Sequence, residues 1–116
     1  MRIYPPRIGL EGKIRRRKMV IDLSLRNEAL YKGCLVEEIA GRLNLRTPIA
    51  EAVALVGRNI AAIVQDVPPE SRDTVTLTGP MAVWAYLVVF HAVVHSFAEV
   101  QYSDGRNAAI VLARHG

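Results

Sequence analysis

The chain has 116 residues, 51% of them hydrophobic, a single cysteine and a formal charge of +4, which suits one folded domain with a core of its own. Cys34 alone excludes an intrachain disulfide and a cysteine-rich zinc site, and fits a reducing, cytoplasmic setting. The surplus of Lys and Arg favours an anionic partner, nucleic acid or nucleotide among them.

Residues 1–18 form a basic arm that ends in the cluster KIRRRK at 13–18. No apolar run follows its charges, so it does not have the pattern of a signal peptide. The cluster is either a solvated arm or an anion contact. A single domain is expected over 19–116. It opens with MVIDLSL at 19–25, where Ile21, Leu23 and Leu25 alternate with Asp22 and Ser24 at the period of a half-buried strand. Asn27 then suits the cap of a helix carrying Leu30, Leu35, Ile39 and Leu43, with Gly33 weakening its first half. A second helix starts at Thr47 as N-cap, with Pro48 in its first position and Glu51 in its first turn, and runs to about Val67 before Pro68-Pro69. DTVTLTG at 73–79 reads as a strand, Gly79-Pro80 as a turn, and 81–96 as an apolar helix. That helix is interrupted by His91 and His95 and is shorter than the roughly 20 residues of a membrane span. FAEVQY and AAIVLA form the last two strands across the turn at 103–106. The order is β-α-α-β-α-β-β. Strand-helix-strand connections give parallel pairs and the tight last turn an antiparallel one. The expected fold is an α+β, ferredoxin-like sandwich with one mixed sheet and helices packed on it.

Two of the three histidines, His95 and His115, flank the last hairpin, and Asp104-Gly105-Arg106 lies midway between them. His91 and His95 share a helix face at the i, i+4 spacing used by metal ligands, although a metal site needs further donors. The alternative is a pair of histidines at a helix end, meeting its last carbonyls and solvent. Asp104-Gly105 also has a purely structural reading, because Asp-Gly is a preferred dipeptide of the type I′ hairpin turn. Arg106 is then an exposed flank.

The segment 74–116 resembles the small CRISPR-associated ring nucleases of the Csx type. The shared pattern is a strand, Gly79-Pro80, a helix containing Trp84, His95 near its end, Asp104-x-Arg106, and a strand ending at His115. This chain has Gly105 where the family turn usually has proline. The resemblance implies a ferredoxin-like fold and cleavage of cyclic tetra-adenylate, with manganese-dependent exonuclease action on RNA 3′ ends as a second activity. It implies catalytic roles for His95, Asp104, Arg106 and His115, ligand contacts at Gly79, Pro80 and Arg106, and manganese(II) held by Asp104 and His95.

These roles suit the residue types. An arginine fork holds phosphate, histidine moves protons near neutral pH, and aspartate is a hard oxygen ligand. With Gly105 at the hairpin tip, the two histidines fall at the far end, about 25–30 Å from Asp104. A site using both ends therefore requires a homodimer or homotetramer. The competing expectation is a non-catalytic sensor that binds the cyclic ligand in a basic groove.

Overall fold

A computed structural model of the protein describes residues 17–115. Residues 1–16 of the basic arm lie outside the described residues, and Lys18 already belongs to the first of the described strands. The elements in chain order are β1 (Lys18–Asp22), β2 (Val36–Ile39), β3 (Arg42–Leu45), α1 (Ile49–Gln65), a short 3-10 turn (Pro69–Ser71), β4 (Thr74–Thr78), α2 (Val83–Val94), β5 (Glu99–Ser103) and β6 (Ile110–Arg114).

Four strands form a mixed sheet in the order β1-β4-β5-β6. The first three are parallel, with Asp22, Thr78 and Ser103 in register at their C-terminal ends. The last pair, β5 and β6, is antiparallel and irregular between Val100 and Gln101. Parallel strands need crossovers, and the segments holding α1 and α2 provide them. Ile21, Leu23, Val75, Leu77 and Val100 are buried in one core with Val56, Ile60 and Val64 of α1 and Ala85, Val89 and Val93 of α2. Strand side chains alternate between faces, so Val20, which is 64% exposed, lies on the face turned away from that core. The expected α+β class, with a mixed sheet and helices packed on it, is the class observed.

The helix expected after Asn27 does not form. Its cap does: the Asn27 side-chain oxygen accepts from the Leu30 amide and the Asn27 carbonyl accepts from the Tyr31 amide. The turn ends at Gly33, whose φ is +91°, a conformation outside the helical range. The chain then makes a separate two-stranded hairpin of β2 and β3, turning at Ala40-Gly41 with φ of 52° and 78°. Positive φ at both central residues is the mark of a type I′ turn. The observed order therefore has a β hairpin where the sequence reading has its first helix.

The other boundaries differ by a few residues. Pro48 is the N-cap of α1, because Thr47 is used elsewhere: its hydroxyl accepts from the Leu35 amide and ties the base of the hairpin. The helix stops at Gln65 with Asp66 as C-cap. Arg72 donates to the carbonyls of Val64 and Val67, tying the end of the helix where the Val67 amide also donates to Val64. Among the described residues no helix is long and apolar enough to cross a membrane.

Candidate functional site

The C-terminal ends of β1, β4 and β5 lie side by side, and open α/β sheets place ligands at such ends. The ends of β1 and β5 are built by short polar side chains that turn the backbone. Asp22 accepts from the Ser24 amide at 2.8 Å and from the Ser24 hydroxyl at 2.9 Å, while Asn27 donates to the Asp22 carbonyl. The Leu23 amide donates to the Thr78 carbonyl, extending the β1–β4 ladder by one step.

Gly79 follows directly with φ of +102°. A Cβ there would stand 2.3 Å from Asp22 Oδ1 and 3.1 Å from the amides of Leu23 and Ser24. Only glycine lets the β4 end approach the β1 turn this closely. Tyr86 of α2 donates to the Gly79 carbonyl at 2.6 Å, and its ring meets Tyr102 edge to face at 5.7 Å. The Tyr86 phenol is pushed up from its ordinary value first by burial, then by Tyr102 and Asp22, so it remains a donor. Gly79 is thus pinned between β1 and α2, and Pro80 leads from it towards the first turn of that helix.

At the third end, Asp104 builds its own loop. Its Oδ1 accepts from the amides of Arg106 and Asn107 at 2.8 and 2.9 Å, and its Oδ2 from the Asn107 side chain at 2.9 Å. The backbone amides of Asn107 and Arg106, then the Asn107 side chain, hold the carboxyl below its ordinary value. Gly105 has φ of +85°, but Asp104 does not have positive φ. The expected type I′ dipeptide is therefore replaced by a wider loop between Tyr102 and Ile110, the last paired residues of the two strands. The carboxylate accepts from the loop's own amides, and this fixes the backbone from which Arg106 projects. Arg106 is exposed and makes no ion pair among the described residues.

The histidines lie elsewhere. His95 is the C-cap of α2 and is exposed, as is His91; their rings are 5.8 Å apart, edge to face. Both border a groove of about 600 Å³ between the helices, with Val53 and Gly57 of α1 on its other side. The His115 amide donates to the Ala98 carbonyl at 2.7 Å, which puts its backbone beside the start of β5. Asp104 lies six residue steps on from Ala98, about 20 Å at 3.3 Å per extended residue. The structure therefore brings Gly79 and Asp104 to one end of the sheet and the segments of His95 and His115 to the other. Among the described residues no three His, Cys, Asp or Glu side chains gather as a metal-binding group.

Three contributors to the strand-end region are missing from the sequence reading. Asp22 and Ser24 appear there as the outward half of an alternating strand. Their signal is the spacing Asp-x-Ser-x-x-Asn directly after an apolar run, the composition of side-chain-bonded turns. Arg42, which lines one cleft with Ser24 and Pro80, belongs to the hairpin that the helix reading concealed. Burial, then Glu51, pushes the Cys34 thiol up from its ordinary value, which disfavours the thiolate.

In comparisons with known proteins, no family model, curated protein or solved structure matches the chain.

Proposed function

We propose that the protein is a phosphodiesterase acting on cyclic tetra-adenylate, as the Csx-type resemblance implies. The observation that carries this reading is the placement of its polar residues. Gly79-Pro80 and the Asp104–Arg106 loop share the ends of parallel strands, while His95 and His115 flank the opposite end of the last hairpin. Arg106 would hold a phosphate, its main chain set by the Asp104 carboxylate. A histidine from a second protomer would move the proton to the leaving oxygen. Manganese held by His95 and Asp104 would likewise need donors from two protomers, since the two residues belong to opposite ends of the sheet. When bound, such an ion would stabilise charge on the phosphate.

Incubation with labelled cyclic tetra-adenylate, with and without manganese, is expected to yield linear di-adenylate. A labelled RNA with a 3′ adenosine tail serves as the second substrate. Shortening of the tail with the cyclic ligand left intact would replace the ring nuclease by the exonuclease. Binding without cleavage of either would make the protein a sensor.

A further inference from the structure

The β2–β3 hairpin does more than connect β1 to α1. Its tip, with Gly41, Arg42, Leu43 and Asn44, stands across a cleft of about 590 Å³ from the turn after β1 and from Pro80 and Met81. A volume in this range accommodates a small organic ligand. Two arginines line it, Arg26 on the β1 turn and Arg42 on the hairpin. Both residues are exposed, and neither forms an ion pair among the described residues. By contrast, Arg46 on the same hairpin is paired with Glu37 at 3.1 Å. The rest of the lining mixes apolar Leu25, Leu43, Pro80 and Met81 with polar Ser24 and Asn44 and the carboxylate-bearing Glu38.

We infer that this cleft is a nucleotide subsite, in which Arg26 and Arg42 hold a phosphate and the apolar wall of Leu43, Pro80 and Met81 receives the base. Unpaired guanidinium forks suit phosphate oxygens, and a base needs a flat apolar surface beside them. Glu38 supplies an acceptor for ribose hydroxyls or a base amino group, a role that phosphate alone would not use. For the choice of an adenine nucleotide the inference rests on the proposed function, because Pro80 belongs to both regions.

Trp84, the only tryptophan in the chain, lies in the first turn of α2, three residues beyond Met81. Its fluorescence provides a readout independent of cleavage. Titration of the full chain with adenosine 5′-monophosphate and with cyclic tetra-adenylate is expected to change this emission. Arg26→Gln and Arg42→Gln should each weaken binding about tenfold, the loss of one charge-assisted contact. Arg58→Gln, exposed on α1, should leave binding unchanged. Inorganic phosphate should bind much more weakly than the nucleotide, and Leu43→Ser should weaken the nucleotide but not phosphate. Circular dichroism checks that each variant is folded.

Unchanged affinity in both arginine variants would overturn the subsite, and so would phosphate binding as tightly as the nucleotide. Arginine-dependent binding without cleavage would retain the subsite and remove the nuclease reading. Cleavage that persists unaltered in both arginine variants, with unaltered binding, would remove only the subsite. A wild-type chain that binds no nucleotide would remove both.

Discussion

At Gly79 two constraints coincide, a positive φ and a neighbouring carboxylate, and they separate by mutation. Gly79→Ala should lose at least about 2 kcal/mol in urea unfolding, from the left-handed backbone and from displacement of Asp22. In an Asp22→Ala background the same change should be smaller, because the oxygen in its way is gone. Equal costs in the two backgrounds would show that the close approach to Asp22 has no energetic weight. Asp104 is the other residue whose role is testable alone. Its folded-state titration should fall below the ordinary aspartate value of 3.8. Because the folded value is depressed, its contribution to stability is present above the unfolded value and is lost as pH falls through the folded one. Asn107→Ala removes only the side-chain donor, so a carboxyl resonance followed by NMR should titrate at higher pH but still below the ordinary value. A titration unmoved by that change would assign the shift to the backbone amides alone.

The elements differ in how far the sequence predicts them. β1 and α1 read from one local period each, and α2 and the other strands of the main sheet from apolar runs bounded by turn signals; these local signals agree with the observed elements. The segment 27–45 does not. Its leucines and isoleucine fall near helical spacing, yet Leu35, Ile39 and Leu43 are 65%, 49% and 39% exposed, so they supply no helical burial. What holds the segment is a set of distant hydrogen bonds that local reading does not reveal. Asn59 of α1, buried, donates to the carbonyls of Leu30 and Lys32 at 2.8 and 2.9 Å. Tyr31, also buried, donates its hydroxyl to the Leu23 carbonyl, and burial, then Asp22, keeps the phenol protonated far above its ordinary range. Asn59→Ala should therefore cost about 2–3 kcal/mol, since it leaves carbonyls without their donor. Asn59→Asp should not restore stability, because a carboxylate offers no donor to those carbonyls. Urea denaturation of both variants checks this, and a neutral Asn59→Ala would mean that water replaces the amide. The candidate site follows the same division: His95, Asp104, Arg106 and His115 stand out by spacing, whereas Arg42 becomes visible only once the hairpin is known.

Across the whole molecule, the two ends of the sheet are too far apart for one reacting phosphate, which makes assembly a measurable requirement of the proposed mechanism. His95→Ala and Asp104→Ala should each abolish cleavage, while the two chains co-expressed should exceed the sum of their separate activities. Complete absence of recovery in co-assembled protein would show that these residues do not act across an interface. The position of β1 has another consequence. Among the described residues it is an edge of the sheet, paired only with β4, and Lys18 meets Thr74 across 56 residues of chain. β4 and β5 are joined by a shorter crossover, and β5 and β6 by a single loop. Closing the longer loop costs more entropy and comes later in folding. Amides of β1 should then exchange with deuterium through an opening that leaves β4 and β5 protected. A nucleotide bound against the β1 turn should slow exchange in β1 more than in the central strands. Identical protection in β1 and β4 without ligand would mean that the sheet opens as one unit. With the expected gradient, the turn carrying Asp22, Ser24 and Arg26 opens before the central strands do.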